Sequence, residues 1–180
     1  MSSNLDSLSD EALAQKARCG DRAAFEVLCT RHLPTVYNRL RALVPPDAVE
    51  DITQEVFIAA MRAVRRFHGR STFRTWLSAI TRHKVADFYR QRSRRPETTP
   101  IDDELQQSNG QSWEEHAAVR IALSCLPEHY QEIILLRFAE GMPFQDIADV
   151  LGISLEATKS RYRRAIAAIA EKMEEARQTG

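Results

Sequence analysis

Residues 144–166 read FQDIADVLGISLEATKSRYRRAI and have the pattern of two short helices that cross at a tight turn. Ala148 is small where the helices must approach each other, and Gly152, four residues later, supplies the positive φ that a tight turn requires. Ser154 has a side chain suited to capping the second helix. Further residues are spaced to fill the inner corner: Ile147, Leu151, Ile153 and Thr158. The pattern predicts a helix-turn-helix motif.

The second helix of this motif is predicted to bury one face and expose the other. At 100° per residue, the packed face holds Thr158, Tyr162, Ala165 and Ile169. Arg and Lys pair with guanine edges or phosphates in the major groove, and Ser can contact either. The predicted DNA contacts are therefore the polar and basic residues Lys159, Ser160, Arg161, Arg163 and Arg164. The alternative interpretation is a three-helix bundle that only has a basic outer face.

Charge is strongly segregated along the chain, although 25 basic and 25 acidic residues balance overall. Residues 61–95 carry 11 basic side chains and one acidic side chain, whereas residues 96–132 carry one basic and 8 acidic side chains. A stretch with net charge +10 is typical of a surface that binds a polyanion, and nucleic acid is the default candidate. The alternative is a solvated helical surface without a partner, but such surfaces usually mix the two signs.

Aromatic residues are interleaved with the basic ones in RFHGRSTFRTWLSAITRHKVADFYRQRSRR, residues 66–95. Cationic grooves with aromatic faces bind single-stranded nucleic acid, because bases stack on the rings. Phe73, Trp76 and Phe88 have helical spacing and are predicted to be core residues. Phe67, in a glycine-containing loop, and His83, between two basic residues, are predicted to contact bases.

A third motif is EDITQEVF, residues 50–57. If Ile52, Val56 and Phe57 face inward, the residues Asp51, Gln54 and Glu55 form an exposed polar stripe at helical spacing. Such a stripe is usually solvated surface, but it can also be a docking surface.

The whole sequence favours an all-α fold with two small helical domains joined by a flexible linker. Residues 96–112 are rich in polar residues and are predicted to be the linker between domains at 1–95 and 113–180. In the first domain, the residues expected to cap four helices are Ser9, Asp21, Asp47 and Ser71. Three cysteines without paired spacing, no signal segment and no long apolar run favour a cytoplasmic protein.

These motifs together resemble the extracytoplasmic-function (ECF) class of bacterial sigma factors over nearly all of residues 10–175. AVEDITQEVFIAA resembles region 2.2 of that family, and FHGRSTFRTWLSAITRHKVADFYRQRSRR resembles regions 2.3 and 2.4. LPEHYQEIILLRFAEGMPFQDIADVLGISLEATKSRYRRA resembles region 4. His83 departs from the family, which often has Asn there.

The resemblance implies a role for each surface in promoter-specific transcription initiation. The stripe formed by Asp51, Gln54 and Glu55 would dock on the clamp helices of the polymerase β′ subunit. Region 4 would read the minus-thirty-five element through the five residues of the second helix while resting on the β flap. Region 2 would hold the melted minus-ten strand, with a flipped base beside the 67–72 loop, through Phe67, His68, Arg70, Ser71, Arg82, His83, Lys84 and Arg90. An anti-sigma factor is the implied regulator, and neither a cofactor nor membrane contact by the chain itself is implied.

Other classes of function have weaker support. Enzymatic activity would need a phosphate loop, an HExxH motif or a partnered nucleophile, and a nuclease would need clustered carboxylates where residues 61–95 have only Asp87. Cys29 and His32, with Cys19 upstream, could be zinc ligands, but structural zinc usually has four. Cys125 lies in an apolar helix and is predicted to be a core residue. A repressor or activator that binds duplex DNA alone would share the helix-turn-helix but leave residues 66–95 without a role.

Overall fold

The computed structural model describes residues 5–94, 123 and 125–179, and all regular structure in these residues is helical. The predicted all-α fold is therefore confirmed. The predicted linker, residues 96–112, lies outside the described residues, as does most of the helix predicted from Trp113 onward.

Four helices form the first domain: α1 (Asp10–Arg18), α2 (Arg22–Leu43), α3 (Val49–Ala63) and α4 (Phe73–Arg94). Short 3-10 turns at Pro46–Ala48 and Val64–Arg66 flank α3. The apolar faces of the helices share one core, whose fully buried side chains include Leu13, Leu28, Leu40, Val56 and Phe73. Burial of these apolar faces, more than helix propensity, is the main source of stability of the domain.

Side-chain caps fix where several helices begin. The carboxylate of Asp21 accepts from the backbone N–H of Ala24 at 3.1 Å, and Ser9 caps α1 in the same way, as predicted. The predicted cap at Ser71 is wrong by one residue, because the hydroxyl of Thr72 accepts from the N–H of Thr75 at 3.1 Å. The predicted capping role of Asp47 is also wrong. Asp47 lies within the 3-10 turn Pro46–Ala48, and Ala48 occupies the N-cap position of α3.

Three helices form the second domain: α5 (Glu128–Ile134), α6 (Phe144–Leu151) and α7 (Leu155–Thr179). A π-helical turn, Leu135–Ala139, continues α5. This domain has its own core, which includes Ile133, Leu136, Met142, Ile147 and Ala165. The two domains touch, because α5 and α6 lie against α2 and α4, and Leu135 packs on the first core. One side of the basic helix α4 therefore faces the second domain.

Candidate nucleic-acid interface

The helix-turn-helix has the predicted geometry. Gly152 ends α6 with φ 65°, in the left-handed region where glycine is favoured. The hydroxyl of Ser154 accepts from the N–H of Ala157 at 3.2 Å and caps α7. Ala148 is buried at the crossing, and the predicted packed face of α7 is confirmed, with Thr158 and Ala165 fully buried.

The opposite face of α7 leaves basic side chains accessible. Arg163 and Arg164 are exposed, while Ser160 and Arg161 are partly exposed. Lys159 forms an exposed ion pair with Glu156 at 3.3 Å, one turn before it. Arg164 reaches back toward the carbonyl oxygen of Ser160, with its Nε at 3.5 Å. All five residues predicted as DNA contacts are at least partly accessible along the first three turns of α7, and together they make up the accessible strip of this helix.

The basic residues of α4 are divided between different faces of the helix. His83 and Arg90, seven residues apart, lie on an exposed face, where Arg90 pairs with Asp87 one turn before it. Lys84 lies beside α3 and pairs with Glu55 at 3.0 Å. Arg82 faces the second domain and pairs with Glu132 at 3.4 Å. The structure thus brings together only part of the predicted minus-ten set on α4.

The loop before α4 exposes His68 and Arg70 but not Phe67. Phe67 is only 4% exposed, and its ring lies 5.3 Å from that of Trp76 and 6.0 Å from that of Phe73. In this structure it is a core residue, so its prediction as an accessible stacking group is wrong. The chain folds the ring back onto the aromatic cluster because a Phe left in solvent would forgo about 1.5–3 kcal/mol of burial.

A hydrogen bond to the backbone determines which ring nitrogen of neutral His83 carries the proton. Its Nδ1 lies 2.7 Å from the carbonyl oxygen of Ala79, and a carbonyl can only accept, so Nδ1 carries the proton. In the neutral ring Nε2 is then an acceptor. An Asn at this position would offer both a donor and an acceptor, so the ring has a narrower choice of base partners.

The polar stripe on α3 is exposed as predicted, since Asp51, Gln54 and Glu55 are all accessible. It continues into an apolar part that the sequence interpretation missed. Ile58 and Met61 are 42% and 50% exposed, and they follow Gln54 at steps of four and three residues. This periodicity is visible in the sequence and is the signal that would have identified them. A mixed polar and apolar helix face is typical of a docking surface.

A buried polar cluster between the domains was also missed. Arg39 on α2 has a side chain only 3% exposed, and it pairs with Glu132 at 3.1 Å and with Glu140 at 3.5 Å. Burial raises the pKa of Glu140, although the charges of Arg39 and Arg74 and a hydrogen bond from Ser78 oppose this effect. The signal in the sequence is the position of Arg39 in register with buried Phe25, Leu28 and other apolar residues of α2.

The remaining candidate residues, the cysteines and histidines considered as metal ligands, do not form a common site among the described residues. Among the described residues, no three His, Cys, Asp or Glu side chains are grouped to hold a metal ion. Of the residues considered as zinc ligands, His32 instead lies 2.7 Å from the carboxylate of Asp10. Burial, together with the nearby charge of Glu26, raises the pKa of Cys29 to about 11, so its thiol stays protonated at neutral pH. The prediction of Cys125 as a core residue is wrong, because this side chain is exposed. No helix in the described part of the chain is sufficiently long and apolar to span a membrane.

Comparison with known families places both domains in one class of protein. Residues 28–95 match the Sigma-70 region 2 family, and residues 116–173 match the family Sigma-70, region 4. A helical domain with a basic helix, followed by a helix-turn-helix domain, is thus the two-region form of a sigma factor.

Individual relatives narrow the class. The chain is 30% identical to the ECF RNA polymerase sigma-E factor of Escherichia coli K12 over 94% of its own length and 96% of that protein. It is 29% identical to the sigma-E factor of Haemophilus influenzae, over 94% of its length and 97% of that protein. The chain belongs to the ECF RNA polymerase sigma factors, as the motifs predicted.

Solved structures agree with this assignment. CnrH, in complex with the cytosolic domain of CnrY, superposes with a TM-score of 0.73 at 29% identity, covering 92% of this chain and 97% of that chain. The sigma factor RpoE of Bartonella quintana, in complex with the anti-sigma factor NepR, superposes with a TM-score of 0.68 at 24% identity, covering 83% and 96%. The second likeness concerns the fold alone.

Proposed function

We propose that this protein binds core RNA polymerase and directs it to promoters, with residues 1–95 acting as region 2 and residues 113–180 as region 4. The observation that carries the proposal is the exposure of basic residues on two separate helices of one chain. One is α7 of the helix-turn-helix, and the other is α4 with its preceding loop. Two such surfaces suit a protein that reads two separate promoter elements, and residues 96–112 would span the distance between them.

Region 4 is proposed to read the minus-thirty-five element in the major groove. The accessible strip of α7 has the length and charge that a recognition helix needs. Arg163 and Arg164 are the candidates for bidentate contacts to guanine, because their guanidinium groups are free of acidic partners in the described residues. Lys159, Ser160 and Arg161 would contact phosphates or base edges beside them.

Region 2 is proposed to hold the melted minus-ten strand. His83 and Arg90 on α4, together with His68, Arg70 and Ser71 in the loop, lie on accessible surface that can follow a single strand. Arg82 and Lys84 would join them once their carboxylate partners, Glu132 and Glu55, are displaced, and Arg90 would likewise exchange Asp87 for a phosphate. Phe67 would support this surface from beneath by fixing the loop. Strand opening would be driven by binding energy, so no catalytic residue and no cofactor is assigned.

The α3 stripe is proposed to dock on the clamp helices of the β′ subunit, and region 4 on the β flap. Asp51, Gln54 and Glu55 supply charge and hydrogen bonds, while Ile58 and Met61 supply apolar contact area. We further propose cytoplasmic location and control by an anti-sigma factor. Support for the latter comes from CnrH, 29% identical to this chain, which was solved in complex with a second protein, the cytosolic domain of CnrY.

The proposed function is tested by selecting promoters from a randomised duplex library, with and without core RNA polymerase. We expect enrichment of a two-part motif only when the protein and core polymerase are both present. Core polymerase without the protein is the control. Equal enrichment by the protein alone would instead identify a regulator that binds duplex DNA by itself, and no enrichment in either arm would contradict the proposal.

A further inference from the structure

The chain just before the 67–72 loop carries arginines to which the proposed function gives no role. Arg62 lies in the last turn of α3, and Arg65 and Arg66 lie in the 3-10 turn that follows it. All three are exposed, and none forms an ion pair or hydrogen bond with a residue in the described part of the chain. We call these three residues the arginine cluster.

The surroundings of the arginine cluster add positive charge. The sequence contains no acidic residue from position 56 to position 86, and the loop adds the exposed His68 and Arg70. The dipole of α3 favours a cation in its last turn, such as Arg62, but its effect falls off beyond that turn, where the other cations lie. A group of cations without counter-charges on its own segment suits a polyanion.

The core of the first domain holds the 3-10 turn in place. Val64 and Phe67, which flank the two arginines of the turn, are each only 4% exposed. Helix α1 packs against the turn, and the amide nitrogen of its Gln15 lies 4.0 Å from the position that a Cβ on Gly69 would take. Because both flanking side chains are anchored in the core, the two arginines between them are directed to solvent. The turn therefore presents two adjacent guanidinium groups on a fixed backbone.

The location of the arginine cluster indicates which part of a promoter it would meet. The chain leaves the first domain at the carboxyl end of α4 and leads to region 4, the proposed reader of the minus-thirty-five element. That element lies upstream of the minus-ten element, so the DNA should reach region 2 near the carboxyl end of α4. It would pass the loop at the amino end of α4 last. The arginine cluster directly precedes this loop and therefore lies at the downstream edge of the proposed minus-ten surface.

We propose that the arginine cluster binds phosphates of the single strand that continues downstream of the minus-ten element. Arg65 and Arg66 would hold neighbouring phosphates, and such contacts position a strand without reading its sequence. Arg62, four residues after Ile58, also borders the α3 docking surface, so the test leaves it unchanged. The inference rests on the minus-ten role in the proposed function and adds the direction in which the opened strand leaves region 2.

The test measures binding of two labelled single-stranded oligonucleotides to the holoenzyme assembled with core polymerase. The short one ends with the minus-ten element found by promoter selection, and the long one continues downstream by about six nucleotides of mixed sequence. The main variant is R65A/R66A. The matched control, R22A/K172A, removes two exposed cations that each pair with a glutamate of their own helix, on α2 and α7.

We expect the long oligonucleotide to bind the parent and the control more tightly than the short one does. In the main variant this gain should fall at least about five-fold, and the salt dependence of long-oligonucleotide binding should fall by about 1.4, or about 0.7 for each lost phosphate contact. The variant R65K/R66K should keep most of the gain, because a phosphate contact requires the charge more than the guanidinium geometry.

Equal gains from the added nucleotides in the parent and the main variant would overturn the inference. An equal loss on both oligonucleotides would also overturn it, because the arginines would then belong to the minus-ten surface itself. Weaker assembly with core polymerase at unchanged DNA affinity would assign them to protein docking instead. A parent holoenzyme that failed to bind even the short oligonucleotide would contradict the minus-ten role in the proposed function, and this inference with it. Circular dichroism checks folding, and R65Q/R66Q, with the same expected loss, replaces a main variant that unfolds.

Discussion

Arg164 provides the sharpest test at the scale of single residues. A bidentate arginine–guanine pair discriminates by about 1–3 kcal/mol, whereas a phosphate contact weakens all sequences alike. We expect Arg164→Ala to relax specificity at one minus-thirty-five position by about ten-fold in relative affinity. The measurement is holoenzyme binding across single-base variants of that element.

Lys159→Ala serves as the comparison, because it removes a charge from the same helix without a bidentate group. It should lower affinity for all variants and reduce the salt dependence of binding. If Arg164→Ala changed every sequence equally, as Lys159→Ala is expected to, Arg164 would not be a base reader.

His83 is the residue at which this protein should differ most from relatives with Asn. Its Nδ1 donates to Ala79, which leaves Nε2 as an acceptor toward bases that present a donor. We expect His83→Asn to change the favoured base at one minus-ten position while leaving total promoter affinity within a few fold. Base preferences from a promoter library, compared between the two proteins, measure this. Identical preferences would show that His83 does not face the flipped base.

Phe67 is expected to act through stability instead of base stacking. Removal of a buried Phe side chain costs about 3–5 kcal/mol, so Phe67→Ala should lower the unfolding free energy by that order. Phe67→Leu, which keeps most of the apolar volume, should restore most of it. Chemical denaturation followed by circular dichroism measures both. A stable Phe67→Ala protein that failed only in promoter opening would contradict this account and favour direct stacking.

At the scale of helices, the α3 surface carries the proposed docking role. A charge reversal that replaces Asp51, Gln54 and Glu55 with Lys should weaken binding to core polymerase at least ten-fold. Since exposed substitutions usually change stability by less than about 0.5 kcal/mol, the thermal unfolding of the variant should stay close to that of the parent. Loss of the Glu55–Lys84 pair adds little to this, because such surface pairs are worth at most about 1 kcal/mol. Equal co-purification with core polymerase would contradict the assignment.

Helix faces were the part of this structure that sequence reasoning predicted well. The exposed strip of α7 and the stripe on α3 follow from helical periodicity, because buried positions such as Thr158 and Val56 recur at fixed steps. The cap at Ser71 was missed by one position because neighbouring Ser and Thr have equal capping chemistry. Phe67 was wrongly predicted to be accessible. The local sequence shows that this residue lies in a loop, but it does not show whether the loop packs its ring against the core.

At the scale of the whole molecule, the contact between domains was beyond sequence reasoning. Glu140 lies 101 residues from Arg39, and a pair so distant leaves no periodic pattern. Arg39 itself is detectable as a charge on an apolar helix face, but its partners are not. The domain boundaries at residues 95 and 113 remain predictions, since the residues between them lie outside the described part of the chain.

Regulation is also a property of the whole molecule. We expect a tagged full-length protein, isolated from uninduced cells, to bring down a partner that blocks both polymerase binding and DNA binding. The purified partner should inhibit promoter-directed transcription when added back at equimolar amounts. Recovery of polymerase subunits alone, together with activity under all growth conditions, would contradict control by an anti-sigma factor.

Run-off transcription with purified core polymerase tests the central claim most directly. Fragmented DNA from the organism's own genome serves as template, and transcript starts are mapped by sequencing. We predict discrete starts, each preceded by a common minus-ten and minus-thirty-five pair, that require the protein and are lost with the charge-reversed α3 variant. Starts that were equally frequent with core polymerase alone, or that persisted with that variant, would contradict the account.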